Sequence, residues 1–114
     1  MSDETLFEKI IAREVPAEIL YEDAEAIAFK DINPQAPFHV LVCPKAPIKM
    51  LSKSTADDEN LLGRLMRIGT SLVKDAGFEE NFRVVINNGE DAGQTVFHLH
   101  LHFLAGRKLV WPPG

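Results

Sequence analysis

His98-Leu99-His100-Leu101-His102-Phe103-Leu104 is the stretch whose reading decides this chain. Three imidazoles alternate with apolar residues, and the sequence holds one further histidine, His39. Successive side chains of a β-strand point to opposite faces, so residues two apart share a face. A strand over Thr95–Leu104 therefore sets all three rings on one side and Leu99, Leu101 and Phe103 on the other. A helix would turn His100 away from the other two. Rings aligned in this way can transfer protons, ligate a metal or act as nucleophiles.

Working outward, Asn88-Gly89-Glu90-Asp91-Ala92-Gly93 reads as a loop and Phe82–Asn87 as the strand before it. Upstream of that strand, Leu61, Leu62, Leu65, Ile68, Leu72 and Val73 recur at helical spacing, which predicts a helix from about Thr55 to Ala76. Asp57, Asp58 and Glu59 suit its N-terminal dipole, and Gly77 suits its end. Lys45–Lys53 reads as irregular. His39–Cys43 reads as a strand closed by Pro44, and Ile19–Glu22 and Ala26–Lys30 as two shorter strands separated by an acidic turn at Asp23. Asn33-Pro34-Gln35-Ala36-Pro37 is a loop on its turn residues. At the start, Thr5 and Glu8 have capping-box spacing before Leu6, Phe7, Ile10 and Ile11, and Pro16 is expected to mark that helix's end. About five strands with short connections predict an antiparallel sheet with two helices, an α+β fold.

The whole chain, residues 1–114, is expected to form one domain. Its apolar share of 46% and charged share of 25% are those of an ordinary globular protein. The net charge of −5, without a Lys/Arg cluster, argues against a nucleic-acid partner. A small phosphate ligand needs no basic surface, because backbone N–H groups and imidazoles can hold it. Cys43 is the single cysteine and sits in an apolar run, so it reads as a buried hydrophobe rather than a nucleophile. Met1-Ser2-Asp3-Glu4 has no signal-peptide character, and no apolar run approaches membrane-spanning length. A cytoplasmic location with no membrane partner is expected.

Three chemistries compete for the histidine row. His98 and His102 would be roughly 13 Å apart on an extended strand, so one metal ion could take at most two of the three, with His39 added. The strand carries no acidic or thiolate ligand, so no metal and no cofactor is expected. A nucleophile fits better. Neutral imidazole attacks phosphorus readily, and His100 is central, with flanking rings to hold phosphate oxygens or assist the leaving group. Gly89 to Thr95 supplies glycines for close backbone approach, then an amide and a hydroxyl, which suits phosphoryl or nucleotidyl transfer. The bland reading, that the alternation is a chance feature of a β-rich chain, is weakened by the adjoining Gly93-Gln94-Thr95.

The His-x-His-x-His motif resembles that of the histidine-triad, or HIT, superfamily, and the rest of the chain resembles its Hint branch of nucleoside phosphoramidases. Phe7–Ile11, Phe29–Pro37, Ala92–Phe97 and the ending Trp111-Pro112-Pro113-Gly114 carry the likeness beyond the motif. The resemblance implies a HIT-like α+β domain paired into a homodimer, with joined sheets and the long helices at the interface. It implies hydrolysis of purine nucleoside 5′-phosphoramidates to AMP or GMP plus amine. His100 would attack the α-phosphorus to give a nucleotidyl-histidine, His102 would contact phosphate and help the amine depart, and His98 would bond His39 and orient His100. Asn87, Gly93, Gln94 and Thr95 would line the phosphate side. Asp31 would accept from the ribose hydroxyls, and Leu6, Phe7, Ile10, Phe29, Ile32 and Leu41 would wall the base. Thr95 stands where the family often has Ser, Asn88 where animal members usually have Glu, and Lys30 where His is frequent. A dinucleoside polyphosphate hydrolase of the same superfamily, a nucleotide-binding or scaffold protein with weak activity, and a zinc protein are the rival readings.

Overall fold

The structure, a computed structural model, describes residues 4–114; the acidic start at Met1, Ser2 and Asp3 lies outside the described residues. Five strands form one sheet: β1 (Ile19–Glu22), β2 (Ala26–Lys30), β3 (Phe38–Pro44), β4 (Phe82–Val85) and β5 (Leu101–Ala105). Their order across the sheet is β1-β2-β3-β5-β4, and every neighbouring pair is antiparallel. The short links dictate much of this. Between β1 and β2, one carboxylate oxygen of Asp23 accepts from the backbone N–H groups of Glu25 and Ala26, closing the turn. Its other oxygen accepts from the Tyr21 hydroxyl and ion-pairs with Arg64 on the long helix. The Tyr21 hydrogen bond, with help from Arg64, holds the Asp23 carboxyl far below the usual carboxylate range.

Alternation along the strands divides the molecule into two cores. Ala26, Ala28, Val40, Val42, Leu101 and Phe103 face one side and pack under Leu65, Ile68 and Val73 of the long helix, α2 (Glu59–Asp75). Ile27, Phe29, Leu41 and Cys43 face the other side and pack under Phe7 and Ile10 of the short helix, α1 (Leu6–Ile11). Burial pushes the Cys43 thiol far up, so the small-hydrophobe reading stands. Among the described residues, no helix is long and apolar enough to cross a membrane.

The predicted elements are all present; β1 and β2 keep the expected bounds and the others have shifted ends. The Thr5–Glu8 capping box is made in full. The helix it starts ends at Ile11 rather than Pro16, because Arg13 takes a left-handed φ of 66° and the Glu14 and Val15 amides turn back to the Lys9 carbonyl. α2 begins at Glu59, not Thr55. Thr55 and Asp58 form a second capping box around a 3-10 turn, Ala56–Asp58, which leads into it. β4 stops at Val85, two residues short of Asn87.

The largest correction falls on the histidine row: β5 starts at Leu101, so His98 and His100 precede the strand. The last pair of the β3–β5 ladder is Val42↔Leu101. Two residues further on, the partner strand ends at Pro44, which has no N–H to give. The Leu99 amide turns instead to the carbonyl of Ile48, at 2.7 Å.

Candidate functional site

The four histidines gather on the α1 side of the sheet, in two hydrogen-bonded pairs of unlike kind. His98 is almost fully buried, and its Nε2 lies 2.7 Å from the carbonyl oxygen of Pro44. A carbonyl only accepts, so that nitrogen carries a proton. The backbone carbonyl of His98 in turn accepts from His100 Nδ1 at 2.7 Å. A neutral His100 with its proton fixed on Nδ1 has a bare lone pair on Nε2, on the far side of the ring. Phe7 stands perpendicular to this imidazole, with ring centroids 4.8 Å apart, and helps fix its plane.

His39 Nε2 lies 2.9 Å from His102 Nδ1 and 3.5 Å from Asp31 Oδ2, and the backbone N–H of Gln35 donates to His39 Nδ1 at 3.0 Å. This overturns one implied contact: His39 bonds His102, not His98. The register explains why. His39 stands opposite Leu104, and His102 opposite Leu41, so His39 and His102 are diagonal neighbours on one face. His98 lies beyond the ladder, beside the end of β3. His102 and His100 sit side by side, with ring centroids 5.0 Å apart.

Burial lowers the basicity of three of these rings. It is the main cause for His39 and His100, against the attraction of Asp31. For His102, burial and the neighbouring His100 and His39 push the pKa down to about 4. His39, His100 and His102 are therefore neutral near pH 7, the state in which imidazole is a nucleophile.

A cavity of about 180 Å³ opens beside these rings, lined by Phe7, Ile10, Phe29, Leu41, Asp31, Ile32, Thr95, His100 and His102 among others. With Leu6, which lines it too, ten of the site residues expected from the sequence thus share one pocket; Val15 and Val96, to which the sequence assigns no role, line it as well. Those two carry no chemistry of their own, so only the fold could reveal them. Ile32 projects from the mouth, 88% exposed. Lys30, at the same mouth, pairs with Glu18 at 2.8 Å.

The loop before the histidines divides into a surface and its scaffold. Thr95 reaches the pocket; Asn87, Gly93 and Gln94 do not line it. Gln94 is 2% exposed, and its carboxamide is consumed within the chain: Oε1 accepts from the Gly89 amide, while Nε2 donates to the carbonyls of Lys49 and Val96. Gly93 sits beside the Asn87 carboxamide and needs its left-handed φ of 99°. Asn88 accepts from the Ser52 amide at 2.7 Å. The irregular segment 44–52 is therefore a strap. It meets His98 through Pro44, Leu99 through Ile48, Gln94 through Lys49 and Asn88 through Ser52. Carbonyls and amides do this work, so no sequence motif signals it.

One cluster could hold a divalent metal. Asp31, His39 and His102 offer ligand atoms within 4.8 Å of one another. This differs from the expected pairing of two row histidines with His39, because an acidic residue replaces one imidazole. An ion there would have to displace the His39–His102 hydrogen bond.

Comparison with known proteins agrees with this architecture. A sequence model of the HIT domain matches residues 12–109. The chain is 55% identical over 114 residues to an uncharacterized HIT-like protein of Synechocystis sp., covering 100% of each. It is 43% identical over 112 residues to a 14 kDa zinc-binding protein of Zea mays, covering 96% of this chain and 88% of that one. The crystal structure of a HIT family hydrolase from Legionella pneumophila matches with a TM-score of 0.95 at 41% identity, over 97% of this chain and 100% of that one. With its histidine row, five-stranded sheet and these matches across nearly its full length, the chain belongs to the HIT domain family.

Proposed function

We propose that the protein is a hydrolase of purine nucleoside 5′-phosphoramidates, a member of the Hint branch, acting through a nucleotidyl-histidine intermediate. One observation carries the reading: the proton of His100 is fixed on Nδ1 by the His98 carbonyl, which leaves Nε2 as a nucleophile in a ring that lines the pocket. The cavity is smaller than the ~300–1,000 Å³ usual for a whole small-ligand site. Its apolar inner wall suits a base, with Asp31 toward a ribose diol, and the phosphate then stays at the end bearing Thr95, His100 and His102. His100 Nε2 attacks the α-phosphorus as the P–N bond breaks, and the amine leaves with a proton drawn from water, beside His102. Water then cleaves the P–N bond to His100 and releases AMP or GMP.

The protein is also proposed to work as a homodimer. β4 is an edge strand with no partner beyond it among the described residues, and it is available to a second copy. Met66 on α2, Val110 and Trp111 are exposed apolar side chains that association would cover.

The experiment compares wild-type protein and His100→Ala, both freed of metal, on an adenosine phosphoramidate and on a diadenosine polyphosphate. Turnover of the phosphoramidate by wild type alone, with adenylylated His100 trapped on acid quench, is the expected result. Full activity in His100→Ala overturns the nucleophile. Preference for the polyphosphate moves the protein to the sister activity. Activity lost to a chelator and restored by zinc would assign the work to Asp31, His39 and His102 as metal ligands. A monomer in sedimentation at micromolar concentration removes the dimer.

A further inference from the structure

We propose that the protein has a second ligand site, separate from the histidine pocket, for a small organic phosphate: the cavity of about 700 Å³ that Arg83, Arg107 and Lys108 line where the chain leaves β5. It shares no lining residue with the pocket of His100 and His102. The sequence scatters these cations and the fold gathers them. Arg83 stands on β4 opposite Leu104 of β5, three residues before Arg107. The link from α2 to β4, residues 77–81, closes another side of the cavity.

The charge on this wall is not consumed within the chain. Arg13, Lys30, Lys45, Arg64 and Lys74 each ion-pair with a carboxylate. Among the described residues, Arg83, Arg107 and Lys108 have no such partner. Neutral acceptors hold the two arginines instead. Arg83 Nη2 donates to the Val110 carbonyl at 2.8 Å, and Arg107 Nε and Nη1 donate to the carbonyls of Gln35 and Lys108 at 2.8 and 3.0 Å. A carbonyl fixes a guanidinium without cancelling its charge, so the remaining N–H groups keep charge-assisted strength toward an anion. In a chain of net charge −5, one carboxylate, that of Glu80, faces the cavity with these three cations. A local excess opposed to the global charge attracts anions.

Size and walls narrow the class. The cavity lies within the ~300–1,000 Å³ of small-molecule sites, more than a lone anion fills. Phe78, Phe82 and Leu109 supply apolar wall. Guanidinium forks match phosphate oxygens in pairs, and the apolar wall suits an aromatic or aliphatic body attached to the phosphate. Pairing of a second copy along β4 would engage the outer backbone edge, while the Phe82 and Arg83 side chains stand off the sheet faces.

Arg107 also ties the cavity to the nucleotide loop. The Gln35 carbonyl that it holds belongs to the loop whose first residue, Asp31, lines the histidine pocket. On the same side, a Cβ added at Gly106 would lie 2.9 Å from Pro37 of that loop. A phosphate that draws on Arg107 should therefore register at Gln35.

The test titrates phenyl phosphate, inorganic phosphate and AMP into the full chain at constant ionic strength and follows backbone amide and arginine Nε–H resonances. Phenyl phosphate is expected to shift Gly77, Gly106 and the Nε–H groups of Arg83 and Arg107 along one saturable curve, with the Gln35 amide following. Shifts at Thr95 and His100 report the histidine pocket and are fitted separately. Arg83→Gln combined with Lys108→Gln should weaken the first curve by about 10- to 100-fold and leave the second in place. Glu80→Gln, which removes the one carboxylate, should tighten it by about 2- to 5-fold. AMP on the same curve would support the site and make the proposed product its ligand. AMP confined to Thr95 and His100, beside a phenyl phosphate curve, would support it for a different organic phosphate.

Inorganic phosphate that binds as tightly as phenyl phosphate shows an adventitious ion only and overturns the site. So does phenyl phosphate that shifts Thr95 and His100 alone. If the double variant does not fold, unchanged or weaker binding in Glu80→Gln is the overturning result. No step of the titration needs turnover, so this site and the phosphoramidase reading stand or fall separately.

Discussion

The two faces of one sheet carry different burdens. The face under α2 is filled by Ala26, Ala28, Val40, Val42, Leu101 and Phe103, with no polar side chain among them. The face under α1 is built from alternate residues of the same strands, yet it must bury His39, His98, His100 and Gln94 as well as its apolar cluster. An unpaired buried polar group costs about 1–3 kcal/mol, so each of these side chains needs partners. It finds them, since no buried side-chain nitrogen or oxygen among the described residues lacks one. Shape decides the first face and hydrogen-bond bookkeeping the second. Mutations on the two faces should therefore fail differently.

The largest effect is expected at Gly69 on the α2 side. A Cβ there would lie 2.1 Å from the ring of Phe103, a rigid neighbour in the middle of the core. Alanine favours a helix over glycine by about 1 kcal/mol. Overpacking of this kind costs about 3 kcal/mol and wins. Gly69→Ala should lower the unfolding free energy by the difference, about 2 kcal/mol, read as a lower urea midpoint, while the folded fraction keeps its kcat. A more stable Gly69→Ala protein would show that α2 can lift from the sheet at no cost. A fall in kcat per folded molecule would show that the faces are not separable.

Gln94→Leu is the matching change on the α1 side, with similar volume and no hydrogen bonds. It strands the Gly89 amide and the Lys49 and Val96 carbonyls and releases the loop that presents Thr95. About 1–3 kcal/mol of stability should be lost. Phosphoramidate turnover should fall by about tenfold in protein that remains folded, as a misplaced group near the reacting centre would cause. Gln94→Leu that loses stability alone would make the clasp purely structural, and the two faces would then be equivalent.

The same division explains what was legible in the sequence. Side-chain periodicity reported the α2 face almost completely. The stripe Leu61, Leu65, Ile68, Leu72, Val73 gave the helix, and the short strands Ile19–Glu22 and Ala26–Lys30 were read to the residue. The histidine row pointed to a candidate site, and Asp31, Thr95, His100 and His102 line one pocket. What escaped lies in the backbone. The strap from Pro44 to Ser52 acts through carbonyls and amides that any residue possesses, so its composition is silent. The pairing of His39 with His102 depends on a register that sequence alone leaves open. Gln94 was expected to face phosphate, because a polar residue in a glycine loop signals a ligand as readily as an internal clasp.

The smallest expected effect, and the one that probes the α1 face without changing a residue, is pH. His39, His100 and His102 all bind protons more weakly than the ordinary 6.5, mainly because they are buried, and His102 lies at about 4. In the unfolded chain these rings return toward 6.5. Below that value the unfolded state takes up protons that the folded state refuses. The contribution to stability is therefore complete above pH 6.5 and is lost progressively as pH falls toward 4. Catalysis should follow the folded values instead, because kcat/KM reports the free protein's own groups. Acidification from pH 7 should thus lower the urea midpoint, while kcat/KM, taken with a phosphoramidate that does not titrate in that range, should reach half its value only below pH 6.5. A kcat/KM that halves at pH 6.5 would mean that the rings titrate as they do in water. Burial on the α1 face would then impose its polar cost without keeping the proposed nucleophile neutral.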